Sequence, residues 1–433
     1  MHTDSTQRFS YLAIWVWLLS VLFFMYEFFL RALIGSLSHQ IIANLQLNAE
    51  SFALLGSAYY FSHGLMQVPV GILVDRYGVR VLLFLATLVC AVATLLFALS
   101  QHFYLALIAR LLMGIGSSFA FVGLLMIVVL WFPRKYFALI AGVSQFLGTM
   151  GPLLAAGPLI SAIQFFNTTW RHALVDVAIF GILLSILLLI FVKNKPASSH
   201  DTLIMLQRRR PFSARMRPVF NNPQTWCIAL YSALSYISLA LLGALWGTEY
   251  LQAAGLSQAR AATVISFSWL GYAIACPVVG AISDFSQRRR PLLLGCALLG
   301  CLATSALLLL PASAPFSYYI ILFFSIGAAA SGQNIGFATI AEQVDPMMRA
   351  TALGFNNAMI MTFSALFPLW VSFFIYRASG YGRLHLTLTH FYYGFLWMPV
   401  LYGCCIFIVL FFVEETFCKP RKSIIPIVRS LSE

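Results

Sequence analysis

The chain has 433 residues, 61% of them hydrophobic and only 9% charged, with a net charge of +13. Soluble domains carry about 25% charged residues, so this composition excludes a string of soluble domains. A helical bilayer crossing takes roughly 20 apolar residues, and twelve crossings with short connections fill the length. The expected fold class is an all-α polytopic membrane protein with twelve transmembrane helices.

In chain order, apolar segments run over 11–37, 50–74, 79–100, 103–132, 137–163, 172–192, 223–253, 258–283, 290–311, 315–341, 350–376 and 391–413. The first is long enough to span and lacks a cleavage pattern, so it is expected to be a retained helix. Trp15, Trp17, Trp131, Trp170, Trp226 and Trp246 lie near segment ends, where interface anchors belong. After the sixth segment comes a long polar stretch, 193–222, with Arg208, Arg209, Arg210 and several prolines. Basic, proline-rich sequence seldom packs a core. It divides the chain into an N-terminal six-helix bundle (1–192), a linker (193–222), a C-terminal six-helix bundle (223–413) and a tail (414–433).

Placing the charges by loop explains the basic excess. Of the 26 Lys and Arg, Arg31 and Arg110 lie within segments, and Arg171, Arg260, Arg377 and Arg383 fall in one set of alternate loops. The remaining 20 fall on the side that carries both termini. That bias predicts cytoplasmic termini, and nucleic acid is not an expected partner. The eight cysteines form no C-x-x-C and seven are embedded in apolar sequence, which supports neither a disulfide framework nor a metal site.

Two loops repeat one pattern. Gly71, Asp75 and Arg80 after the second segment map onto Gly280, Asp284 and Arg289 after the eighth with a single offset of 209. Glycine lets helix ends approach, and Asp can cap a helix and pair with Arg. The pattern is either a gate latch or a positively charged turn that only sets topology. The second copy lacks the Arg after Asp and the Gly found in the first.

Gly71, Asp75, Arg76, Gly78 and Arg80 resemble the loop motif of the major facilitator superfamily. Arg110-Leu-Leu-Met-Gly114-Ile-Gly116 resembles its fourth-span R-x-x-x-G-x-G pattern. Gly148-Thr-Met-Gly151-Pro152, with Gly157-Pro158 beyond, is partly similar to the fifth-span motif of the family's exchangers, with a different glycine spacing. Tyr26-Glu27-Phe-Phe-Leu-Arg31 and Gln67-Val-Pro69-Val-Gly71 are similar to bacterial metabolite transporters, including nutrient carriers of intracellular bacteria. The resemblance covers nearly the whole chain and implies two pseudo-symmetric bundles that rock about a central site.

Ionisable groups inside a span cost several kcal/mol and are functional candidates. Glu27 and Arg31 stand at i, i+4 on one helix face. Helix rise puts Glu27 roughly 15 Å deep, Arg110 roughly 12 Å and Arg31 about 9 Å. One negative and two positive charges leave a guanidinium over, suited to grip a carboxylate or phosphate. Glu27 is the candidate proton carrier; the bland reading is a permanent ion pair that fixes packing. His63, Gln67, Gln145, Gln333, Asn334, Asn356 and Asn357 either line the cavity or hydrogen-bond between helices. Tyr59, Tyr60, Trp246 and Tyr272 are candidates for an aromatic wall, and Glu249 for a gate. Gly114, Gly116, Gly142, Gly148 and Gly151 are expected close-packing positions.

These features predict a secondary transporter of the inner membrane, importing a carboxylate-bearing solute such as an amino acid or organic acid. The proton gradient is the expected driving force and no cofactor is expected. Expected partners are the solute and the bilayer; both halves lie in one chain, so a monomer suffices. The alternatives are export of a drug, metabolite or siderophore, and a sensor that binds solute without moving it. No phosphate loop suggests ATP drive and no H-E-x-x-H suggests a metalloprotease, so an enzyme is not expected.

Overall fold

The computed structural model describes residues 11–132, 137–193, 217–309, 314–344, 348–379 and 386–418. The linker from 194 to 216, the tail beyond 418, and the side chains of Gly71, Asp75 and Arg76 in the first loop motif lie outside the described residues. In hydrocarbon no water can satisfy a backbone N–H or C=O, so each crossing must be a helix. Ten described helices are long and apolar enough to cross, and a pair bent by 44° at Ala156 makes an eleventh. The twelfth, Ala49–Tyr77, has 29 residues; Ser57, Ser62, His63 and Gln67 make it more polar than the rest.

The spans are 1 (Tyr11–Ser36), 2 (Ala49–Tyr77), 3 (Val79–Leu99), 4 (Phe103–Trp131), 5 (Phe137–Ala155 with Gly157–Phe165) and 6 (Trp170–Phe191). In the second half they are 7 (Pro223–Ser238 continuing to Ala253), 8 (Gln258–Ser286), 9 (Arg290–Leu309), 10 (Phe316–Ala330 with Gly332–Glu342), 11 (Arg349–Ala378) and 12 (Leu388–Phe395 with Trp397–Phe411). An even number of crossings puts residues 11 and 418 on one face, here termed the terminal face; the other is the distal face. Side-chain caps fall at several distal helix starts: Asn48 accepts from Ser51 N at 2.8 Å and Thr169 from His172 N at 3.3 Å. Each satisfies an amide that the helix leaves open.

The halves meet where span 2 packs along span 11 and span 5 along span 8. Span 7 interrupts its α-helix with a π-turn at Leu239–Gly243, and the freed Gly243 carbonyl accepts from Trp269 Nε1 at 2.9 Å. The bend that follows is received by two glycines of the first half. A Cβ at Gly35 would stand 2.6 Å from the Ala244 carbonyl carbon, and one at Gly56 would meet the Leu245 side chain. Trp246 packs edge-on against Phe52 at 5.0 Å and donates to Ser372 Oγ at 3.0 Å. In the same distal half, Ser266 of span 8 closes the break in span 5. Its hydroxyl accepts from Gly157 N at 2.8 Å and donates to Leu153 O at 3.3 Å. Among the described residues the tight glycine contacts between the halves gather at the distal side, whereas a Cβ at Gly142, Gly280 or Gly354 would meet no described atom within 4 Å.

Among the described residues neither Gly142 nor Gly280 is a close-packing position, which corrects the expectation for Gly142. Gly114, Gly116, Gly148 and Gly151 are: each faces backbone or ring atoms of span 1, 2 or 3. Gly78 has a turn to make. It alone joins spans 2 and 3, at φ 78°, a region costly for residues with a Cβ. Its repeat equivalent, Gln287, takes a similar φ of 52° despite carrying a side chain.

The second loop motif forms a charged cluster on the terminal face. Arg289 donates to Asp284 at 2.7 Å and to Glu342 of span 10 at 2.8 Å. Burial lowers the pKa of its guanidinium, but the hydrogen bonds it donates to Glu342 and Asp284 outweigh this and raise it above the ordinary arginine value. Glu415, just past span 12, caps span 9 by accepting from Arg289 N at 2.8 Å and Arg290 N at 3.0 Å. The expected Asp–Arg pair is present, yet all these partners belong to the second half. The cluster binds spans 8, 9, 10 and 12 to one another, with no partner from the first half among the described residues. Arg80 donates to Leu189 O at 2.8 Å at the end of span 6. Arg290 does the same for span 12, through Val409 O at 2.9 Å.

Two predictions follow from these contacts. Gly35→Val overpacks the seam against backbone, costing about 1–3 kcal/mol; the thermal midpoint in detergent should fall, and an unchanged midpoint would mean that the seam yields freely. Asp284 is 70% exposed but Glu342 only 13%. Asp284→Asn should therefore cost no more than about 1 kcal/mol, and Glu342→Gln about 3 kcal/mol. Equal losses in unfolding titrations would contradict this ranking.

Candidate functional site

Helical spacing brings the first half's ionisable side chains together. Glu27 and Arg31 share a face of span 1, as Tyr59 and His63 share one of span 2. Arg31 Nη2 donates to Glu27 Oε1 in a buried ion pair. Tyr59 donates to the same oxygen at 3.1 Å, and His63 Nδ1 lies 3.8 Å from it. The Tyr59 and His63 rings stack at 5.9 Å. The Arg31 guanidinium lies 4.3 Å from the centre of the Phe28 ring. Glu27 Oε2 and Arg31 Nε have no hydrogen-bond partner among the described residues.

Arg110 is fully buried and was the expected spare guanidinium. It pairs with no carboxylate among the described residues, but most of it is occupied. Nε donates to Leu55 O at 3.2 Å and Nη1 to Leu30 O at 2.8 Å, which staples span 4 to spans 2 and 1. The guanidinium also covers the Tyr59 ring at 4.8 Å. Only Nη2 is left without a partner.

The second half presents a neutral counterpart. Gln333 Nε2 donates to the Tyr272 hydroxyl at 2.5 Å, and Asn334 Nδ2 to Cys276 Sγ at 2.6 Å. The Tyr236 and Tyr272 rings lie 6.2 Å apart, and Tyr236 faces Arg31 across the interface. Asn356 is fully buried with neither amide atom partnered. Gln67, Gln145 and Asn357 are half-buried.

Tyr59, Tyr60 and Tyr272 thus join the central cluster, whereas Trp246 belongs to the distal closure. Glu249 lies in that closure too, beside Ser38 and His39. Two grooves of about 350 and 490 Å³ open elsewhere, at Leu153–Ser266 and Glu50–Phe373, and neither includes Glu27 or Arg31. Sequence reasoning missed Tyr236, Cys276, Glu342 and Glu415. The repeat offset of 209 would have found the first, since it carries Glu27 onto Tyr236 and His63 onto Tyr272.

Comparison with known proteins agrees with this architecture. The chain is 24% identical to the hexuronate transporter of Bacillus subtilis (strain 168) over 57% of its own length and 58% of that protein's. It is 22% identical to the membrane sensor protein UhpC of Escherichia coli (strain K12), over 87% of this chain and 90% of that one. Among solved structures it matches a D-xylose-proton symporter with TM-score 0.73 and 16% identity, covering 94% of this chain and 99% of that one. A bacterial homologue of the human lysosomal transporter Spinster, in an inward-facing and unoccupied conformation, matches with TM-score 0.71 and 17% identity, covering 96% and 100%. The sequence profile of the Major Facilitator Superfamily matches residues 16–368 and again 229–427. With twelve spans in two repeated halves, this chain belongs to the Major Facilitator Superfamily.

Proposed function

We propose that the protein imports a small carboxylate-bearing solute across a bacterial inner membrane by alternating access, coupled to protons, with its termini in the cytoplasm. One observation carries the reading: a buried Glu27–Arg31 pair sits at the meeting of the halves with one atom of each partner unused. A proton on Glu27 weakens the pair and releases the Arg31 fork, which can then grip a carboxylate through two parallel hydrogen bonds. With the carboxylate bound, Arg31 is again paired and the halves can close over it. When the solute leaves, Arg31 returns to Glu27 and the proton departs. Arg110 keeps Tyr59 against Glu27 and adds positive charge. The similarity to a hexuronate transporter supports a carboxylate as ligand, and the crowding of Lys and Arg on the terminal face supports the orientation. The chain holds both halves and works as a monomer, without cofactor or enzymatic step.

A second reading is favoured by the similarity to a membrane sensor protein over 87% of the chain: solute is bound but not moved. Reconstituted vesicles separate the two. One proton per solute and a gradient of one pH unit sustain about tenfold accumulation. Glu27→Gln should abolish gradient-driven accumulation while leaving solute exchange, and Arg31→Ala should abolish both. Binding without flux in the wild type establishes the sensor. Wild-type accumulation by Glu27→Gln removes Glu27 from coupling.

A further inference from the structure

We infer that the groove between spans 2, 4 and 11 binds a phospholipid of the distal leaflet whose headgroup carries both an ammonium and a phosphate. The groove holds about 490 Å³ and lies where the halves meet. Its walls include Glu50 and Leu54 of span 2, Phe103 of span 4, and Leu369 and Phe373 of span 11. The groove between spans 5 and 8, by contrast, has no charged residue in its walls. The site is separate from the Glu27–Arg31 centre and does not depend on which solute is carried.

Both walls belong to stripes that face lipid. On span 2 the large exposed apolar residues are Leu54, Phe61 and Leu65, and on span 11 they are Leu366, Trp370 and Phe373. Helical spacing carries the first stripe outward to Glu50 and the second to Arg377, and both of these are exposed. Span 2 starts and span 11 ends at the distal face, so each charge stands about 6 Å, four residues of helix rise, beyond Leu54 or Phe373. Tyr104, largely exposed beside Phe103 at the distal start of span 4, marks that level as the membrane interface. Neither Glu50 nor Arg377 makes an ion pair with a described residue.

A carboxylate and a guanidinium at headgroup level, on opposite walls of an apolar groove, match an amphiphile with both charges at one end and hydrocarbon at the other. The bilayer supplies one. Its phosphate meets Arg377, which can take two oxygens at once; its ammonium donates to Glu50; an acyl chain lies against Leu54, Phe103, Leu369 and Phe373. A purely anionic headgroup leaves Glu50 facing like charge, and a choline headgroup has no N–H to donate. The walls come from both halves, so a lipid seated here holds span 11 to spans 2 and 4. It therefore favours the arrangement in this structure over any in which those spans part.

The test titrates the full chain in detergent with short-chain phosphatidylethanolamine, phosphatidylcholine and phosphatidylglycerol, and reads binding by native mass spectrometry. The wild type should bind phosphatidylethanolamine about fivefold more tightly than the other two, the worth of one partly exposed ion pair. Glu50→Gln should erase the preference over phosphatidylcholine, and Glu50→Lys should turn it toward phosphatidylglycerol, a gain that a misfolded chain cannot produce. Arg377→Gln should weaken all three lipids, since each carries a phosphate. Leu54→Trp, which fills the groove, should weaken phosphatidylethanolamine, whereas Ser161→Trp in the groove between spans 5 and 8 should not. Equal binding of the three lipids by the wild type overturns the headgroup assignment. A phosphatidylethanolamine preference that survives both Glu50 variants, or one lost in Ser161→Trp and kept in Leu54→Trp, overturns the site.

Discussion

A guanidinium inside a bilayer has to find acceptors within the protein, because the hydrocarbon supplies none. This chain carries two, and it meets the demand in two different ways. Arg31 takes a carboxylate four residues back on its own helix, and Tyr59 of span 2 donates to the same carboxylate. Arg110 takes backbone carbonyls from spans 1 and 2, groups that cannot change protonation and that move with their helices. A carboxylate can take up a proton; the carbonyl clamp is fixed. The clamp carries the Tyr59 ring beneath it, and so the ion pair is mounted on the clamp.

The same contrast between fixed and movable contacts runs through the seam between halves. At the distal face, glycines let backbone meet backbone, the π-turn of span 7 supplies the bend they receive, and Ser266 satisfies groups freed by the break in span 5. Broken helices are tolerable here because neighbouring spans provide their missing partners, Ser266 of the other half for span 5 and Trp269 of the same half for span 7. Such contacts are shape-dependent and lose their value together once the halves part. At the terminal face the described ionic contacts, of Arg289 with Asp284 and Glu342, lie within the second half and tie that bundle together.

Repetition shows what each half retained. Gly78 and Gln287 both take a positive φ between their spans, and Arg80 and Arg290 both donate to carbonyls near the ends of spans 6 and 12. Those positions hold the scaffold. At the centre the halves diverge, the first carrying Glu27 and His63 where the second carries Tyr236 and Tyr272.

Much is legible in the sequence. Hydropathy located twelve spans to within a few residues, since lipid acts on each segment through its own composition. The i, i+4 spacing of Glu27 and Arg31 made them neighbours on any helix, and the loop repeat announced two related bundles. The seat of Trp246 in the distal closure was not legible, nor were the commitment of Arg110 to two carbonyls, the pairing of Arg289 with Glu342, or the capping of span 9 by Glu415. These join residues tens to more than a hundred positions apart. They depend on how each helix is rotated about its axis, and that rotation is set by packing among all twelve helices, to which a one-dimensional pattern is blind.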